Sequence, residues 1–240
     1  MSFNDNDMPQ FGGSAGSPID YTLGLSAFFT KVYGWMAFAL VLSGLAAWLT
    51  GHNEVIAKAI FTGYTPMILF GAELALVFAI GAGMSRWSAS VVTTLFVIYS
   101  VVNGLTLGVI FIVYELGSIV STFAVTALTF GAMSLYGYTT KKDLTGIGKM
   151  LFFALIGLVI ASIVNLFLQN SMFELVVSAI GVVVFIGLTA YDTQKLKAIA
   201  YTAEDQESMT KLAVYGALDL YLDFINLFLY LLRFMGNRRN

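Results

Sequence analysis

Seven stretches of this chain are apolar over enough consecutive positions to cross a lipid bilayer: Val32 to Leu49, Met67 to Gly83, Ala89 to Tyr114, Gly117 to Tyr138, Lys149 to Leu168, Phe173 to Tyr191 and Leu212 to Phe234. A hydrocarbon core of about 30 Å takes ~20 helical residues at ~1.5 Å each, so each stretch is predicted to be a transmembrane helix. Local punctuation supports the boundaries. Thr65 before Pro66 reads as an N-cap with proline at the first helical position, and Ser171 with Glu174 reads as a capping box. The connections after the second, third and fifth stretches are only a few residues long, which makes their flanking helices antiparallel neighbours. Met1 to about Asp20 is rich in Gly, Ser, Asp and Asn, carries Pro9 and Pro18, and lacks a basic region followed by an apolar core. It reads as a disordered tail rather than a signal peptide. The fold class predicted is therefore all-α, with a tail over 1–20 and a single transmembrane domain over 21–240. No internal repeat is evident.

The last stretch departs from the others. Leu212 to Phe234 is long and apolar enough to span, yet Asp219, Asp223 and Asn226 lie in its middle. An aspartate at the centre of a membrane helix opposes insertion by about 2.5 to 3.5 kcal/mol, so two of them call for water, a proton, a cation or a protein partner. On a helix Tyr215, Asp219, Asp223, Asn226 and Tyr230 share one face, and Leu218, Leu222, Ile225 and Leu229 lie opposite. A surface-lying helix would carry Lys and Arg along its polar face, whereas this one has only Arg233 at its end. The segment is read as a central helix whose polar stripe is hidden from lipid by the others.

Composition narrows the chemistry. The chain is 58% hydrophobic and 11% charged, far from the quarter or so of charged residues in soluble domains. A net charge of −2 gives no reason to expect a nucleic-acid partner. No Cys is present, which removes disulfides, thiolate catalysis and Cys-ligated metals, and the single His, His52, argues against zinc chemistry. With the N-terminus inside, the cytoplasmic side would hold Lys31, Arg86, Lys141, Lys142, Lys149, Lys195, Lys197 and Lys211, eight of the twelve basic residues. That asymmetry places the N-terminus in the cytoplasm. The arginines near the C-terminus would fall outside, unless the last segment were re-entrant.

Other polar residues lie within the apolar stretches. Ser118, Thr122, Thr126 and Thr129 share one face of the fourth, and Thr93, Ser100, Asn103 and Thr106 share one face of the third. Such residues commonly let membrane helices approach and hydrogen-bond, as the Gly104-x-x-x-Gly108 pair would, although they could also line a pore. Glu73 is costly if it faces lipid. Arg86 is thirteen residues further on, about 20 Å along a straight helix, so Glu73 must find its partner on another helix or stay protonated. Fixing helix packing and serving a cation path are both open to it. His52 reads as an interfacial residue.

Two stretches carry a resemblance. Thr189-Ala-Tyr-Asp-Thr-Gln-Lys-Leu-Lys197 and Asp219-Leu-Tyr-Leu-Asp-Phe-Ile-Asn-Leu-Phe228 closely resemble the signature regions of the Bax inhibitor-1 family of membrane proteins, and Glu73 and Arg86 are similar in placement to a glutamate and an arginine of that family. The resemblance implies a seven-helix bundle with the last helix at its centre and a calcium-permeable leak sensitive to pH. It also implies that Asp192 and Asp223 form the proton-sensing pair, with Asp219 an additional acid one turn away. Depth along the segments favours Asp219 as the neighbour of Asp192. Contact with Asp223 requires the sixth helix to continue to about Lys197, with Lys195 and Lys197 snorkelling, or the seventh to begin deeper. The loop from Lys197 to Leu212, with Glu204, Asp205 and Glu207, is longer and more acidic than in some relatives.

This pairing has a physical logic. Two ionised carboxylates about 4 Å apart repel by about 4 kcal/mol at an effective dielectric of 20, so the pair calls for a proton or a cation. Calcium suits such a site because it prefers hard oxygen ligands, and a transient, low-affinity stop at Asp192 and Asp223 is what conduction needs. The expectation is a channel in a bacterial inner membrane, with calcium as permeant ion and no cofactor. Its partners would be the lipid bilayer, calcium and protons. A proton-coupled cation exchanger would use the same acids. A regulatory protein that modulates another membrane complex, such as a membrane protease, would use the tail and acidic loop instead. An enzyme is not expected, since the Gly-x-Gly-Asp pattern of one class of intramembrane protease is absent at Asp192, Asp219 and Asp223.

Overall fold

The computed structural model describes residues 18–203 and 205–239, with side chains from residue 24 onward. The proposed tail lies outside it as far as residue 17, as does Glu204. The described chain is helical throughout: α1 (Pro18–His52), α2 (Glu54–Phe61), α3 (Thr65–Gly83), α4 (Ala89–Leu107), α5 (Val109–Val113), α6 (Leu116–Thr139), α7 (Thr145–Leu168), α8 (Ser171–Ala200) and α9 (Gln206–Met235). Seven helical spans are long and apolar enough to cross a membrane, α4 and α5 counting together as one, so the protein is a seven-helix membrane bundle. Its surface fits that reading. Phe153, Phe167, Leu128, Phe78 and Val183 are each more than 65% exposed, an apolar display that belongs in lipid rather than water. The last helix is the exception, with 67% of its most apolar window buried against 39% or less in the others. α9 is thus the most covered of the spans, in line with what is expected of the last helix.

Several ends differ from the expected ones. α1 starts at Pro18, which takes in the last three residues assigned to the tail, and α8 continues past Tyr191 to Ala200. α9 begins at Gln206 and runs unbroken for 30 residues, about 45 Å, so no re-entrant turn occurs in it. The third stretch is not one helix: it breaks at Gly108 between α4 and α5. Tyr64 rather than Thr65 precedes the first helical residue of α3, and Pro66 sits in the first turn where its missing N–H costs nothing. The capping box at Ser171 does not form. Asn170 takes that role, its Oδ1 accepting from Phe173 N at 3.0 Å, and Glu174 turns instead to Arg238. The apolar pattern does not predict the short α2, which Asn53 caps by accepting from the backbone of Val55 and Ile56.

The chain divides into two compact units: one runs as far as Leu107 and includes Leu196–Leu218, the other comprises Gly108–Lys195 and Asp219–Asn240. In the first unit α4 packs on α1 and α3. Gly104 makes the α1 contact possible, because a Cβ there would lie 2.6 Å from the Ser43 carbonyl oxygen and 2.7 Å from the Ala46 side chain. Ser43 Oγ meets Ser100 O at 2.7 Å across the same contact. Gly104 thus does what the small-residue pair predicts, while Gly108 marks the helix break. Glu73 on α3 finds its partners on α4, accepting from Thr106 Oγ1 at 2.7 Å and Asn103 Nδ2 at 3.2 Å. Thr106→Val, which removes the shorter bond, is expected to lower unfolding stability by about 1 to 2 kcal/mol, measured by thermal melting in detergent.

In the second unit α9 packs on α6 through Phe224 and Phe228, whose rings meet Phe123 and Phe130 at 5.3 to 6.1 Å. Tyr230 stacks on Phe185 of α8 and lies against Gly181. Beyond α9 the chain doubles back onto the α5–α6 connection. Glu115 N donates to Asn237 O at 3.1 Å, Arg239 N to Val113 O at 2.8 Å, and Asn237 N to Ser118 Oγ at 2.9 Å. Arg238 Nη2 lies 3.0 Å from Glu174 Oε1, and that carboxylate pushes the guanidinium pKa further up. Arg233 lies over the Tyr230 ring. Of the fourth stretch's polar stripe, Ser118 therefore serves the C-terminal strap, and Thr126 donates to Thr122 O within α6.

Candidate functional site

The turn of α8 that bears Asp192 is held on all sides within its unit. Thr189 and Thr193 back-bond to carbonyls one turn earlier, which ties up their hydroxyl protons without an outside partner. Ser134 of α6 meets Thr193 Oγ1 at 3.0 Å, both buried. Ala190 is small where its carbonyl comes up against Gly137 of α6, and the Tyr191 ring covers Gly148 of α7 so closely that neither glycine has room for a Cβ. Gln194 fastens the α6–α7 connection: its Oε1 accepts from Leu144 N at 2.8 Å and its Nε2 donates to Lys142 O at 2.8 Å. In that connection Asp143 is held below the usual carboxylate range by its hydrogen bonds to Thr145. Each residue of the Thr189-to-Lys195 run therefore has a local task.

Asp192, Asp219 and Asp223 converge. Asp219 and Asp223 are one turn apart on α9, and the carboxyls of Asp192 and Asp223 lie within hydrogen-bonding reach of each other. Two bare carboxylates only accept, so that proximity becomes a bond when one of them carries a proton. Asp223 is 4% exposed and its Oδ2 has no hydrogen-bond partner among the described residues. A buried polar atom left in that state calls for a proton, a water or a cation. Asp192 and Asp219 are less enclosed, with side chains 16% and 18% exposed. Both face Lys195, whose Nζ is 3.1 Å from Asp219 Oδ2 and 3.7 Å from Asp192 Oδ1. Lys195 thus does not snorkel away from the bundle. The ion pairs draw it onto the acids instead.

The continuation of α8 to Ala200 meets the condition for Asp192 to reach Asp223, and the lysine accounts for Asp219 being a neighbour as well. The other named residues lie elsewhere. Asn226 Nδ2 donates to Leu222 O at 2.8 Å, within α9. Glu73 and Arg86 belong to the other compact unit. Arg86 lines a polar surface hollow with Trp87, Asp205, Glu207 and Lys211, beside which Glu207 Oε1 accepts from Ala89 N. Among the described residues no group of three or more His, Cys, Asp or Glu side chains is arranged to hold a metal ion. Any cation meeting Asp192 and Asp223 would therefore draw other ligands from hydroxyls, carbonyls and water.

Comparison with known proteins bears on this arrangement. The family described as "Inhibitor of apoptosis-promoting Bax1" matches residues 25–240, which includes both signature stretches and all three aspartates. The chain belongs to the Bax inhibitor-1 family. Within the range of that match lie all of α2 to α9 and most of α1. The inner membrane protein YbhL of Escherichia coli K12 is 52% identical over 219 residues, covering 90% of this chain and 94% of its own. A protein of Rickettsia prowazekii is 46% identical over 218 residues, 90% of this chain and 92% of its own. A membrane protein of Streptococcus pyogenes is 39% identical over 219 residues, 89% and 94% of the respective chains. With its seven apolar spans, this chain is an integral membrane protein of the Bax inhibitor-1 family. Its seven spans and its central acids lie in the part that the family shares.

Proposed function

We propose that this protein is a calcium-permeable leak channel whose conduction depends on pH through the Asp192 and Asp223 pair. The observation that carries the reading is Asp223: an enclosed carboxylate with an unpartnered oxygen, within reach of a second carboxylate on a neighbouring helix. A proton shared by the two makes a hydrogen bond between α8 and α9. Its loss leaves repulsion of about 4 kcal/mol at 4 Å and an effective dielectric of 20, or a cation between them. Proton and cation compete for one place, and their exchange biases a two-state arrangement of the two helices. The choice of calcium follows the resemblance to the family, and the donor set suits it: hard carboxylate oxygens completed by water give a weak site from which an ion can leave.

The same proposal places the protein in a bacterial inner membrane with its N-terminus in the cytoplasm. The name of the E. coli relative supports the first and the distribution of lysines the second. Calcium flux into proteoliposomes, followed with an entrapped indicator as external pH is varied, tests the function. The expected result is electrogenic flux that changes with pH and loses that dependence in Asp192→Asn. Absence of flux, or flux indifferent to pH, overturns it.

A further inference from the structure

We propose that the Lys195 ammonium is a tethered counter-ion that occupies the cation position at the aspartates, so that a permeant cation must displace it. The inference rests on the leak reading above and concerns what limits entry. Lys195 lies one turn beyond Asp192 on α8 and reaches across to Asp219 on α9, 3.7 Å from one carboxylate and 3.1 Å from the other. A calcium ion held by the Asp192 carboxylate, about 2.3 to 2.6 Å from its oxygens, would stand close to that ammonium, and at a given distance a divalent ion repels it about twice as strongly as two carboxylates repel each other. Both therefore do not fit at full charge.

The lysine is also built to leave. Its side chain is 35% exposed while Asp192 and Asp219 are 16% and 18% exposed and Asp223 is 4% exposed, so the lysine is the least enclosed member of the cluster. A compact charge on a flexible four-carbon stem regains hydration by swinging outward, which offsets part of the two ion pairs it gives up, and its backbone stays fixed in the helix. The acids cannot follow it. Counting full charges, three carboxylates and one ammonium give −2, and removing the ammonium raises the debt to −3. A divalent ion then neutralises more of it than any single proton can.

A salt bridge that merely pins α8 to α9 would use the same contacts, so the test must separate the two. The full-length protein carrying Lys195→Met is compared with the wild type in proteoliposomes for calcium flux at a fixed mildly alkaline pH, and in detergent for calcium-dependent thermal stabilisation. A displaced counter-ion predicts apparent calcium affinity raised by about tenfold and flux raised with it, and Lys195→Arg returning both toward the wild type. If the Met variant does not reach the membrane, Lys195→Gln reads the same quantity with a side chain that keeps hydrogen-bonding capacity. Unchanged affinity, or flux that falls together with stability, overturns the counter-ion role. If the wild type carries a flux that Asp192→Asn and Asp223→Asn alter, but Lys195→Met does not, only this inference fails. If neither Asn variant alters the flux, the leak reading itself fails.

Discussion

Replacing Asp223 by Asn flattens the pH dependence of calcium flux. The substitution keeps shape and volume, and the buried position of Asp223 favours a side chain that carries no charge. The Asn amide donates to Asp192 at every pH, imitating the shared proton permanently, and leaves the pair with one titratable acid, beside Asp219, where it had two. The remaining charges facing the position are Asp192, Asp219 and Lys195, and the last still bridges the other two. One proton gained or lost across two pH units can change occupancy by up to about a hundredfold. In Asp223→Asn the flux between about pH 6 and 8 should instead vary by about twofold or less. Flux in proteoliposomes measures this, with thermal melting as the check on folding. A variant that keeps the full wild-type pH profile would remove Asp223 from the sensor.

Gly137→Leu should be the most destabilising single change near the site. A Cβ at this position runs into the Ala190 carbonyl, which is backbone on both sides of the contact and so has no flexible side chain to move aside. α6 and α8 would have to part, and with them the Ser134 to Thr193 hydroxyl pair just beyond. Overpacking that shifts backbone costs about 3 kcal/mol or more. The midpoint of thermal unfolding in detergent reads it, against Gly157→Ala on the exposed face of α7, where a Cβ meets nothing within 4 Å. Equal melting of the two variants would contradict the close approach of α6 and α8.

How much of this was legible beforehand depended on how local each feature is. Apolar length is local, and all seven spans were readable from it. Helix ends were less so, because a span continues beyond lipid wherever its polar residues find partners. Asp192, Gln194 and Lys195 lower the hydropathy after Tyr191 and suggest an end there, yet each is engaged by another helix or connection and α8 runs on to Ala200. Glu73 was rightly referred to another helix, and the polar pair that receives it, Asn103 and Thr106, stood in the stretch joined to its own by a short connection. The position of Lys195 is not legible in this way. Its spacing of three from Asp192 was visible, but its turn toward Asp219 depends on where α9 lies, and no periodicity within one helix reports that. Glu174 departs from the capping box for the same reason: its partner, Arg238, is far away in the chain.

The doubling back of the carboxyl end onto the α5–α6 connection has a practical side. Arg239 and Asn237 are engaged through their backbone, and Arg238 through its side chain, with residues that precede them by more than sixty positions. A fluorescent reporter or purification handle fused directly behind residue 240 would compete with these bonds and strain the join between α5 and α6. Such fusions need a flexible spacer before their signals can be taken as those of the undisturbed molecule.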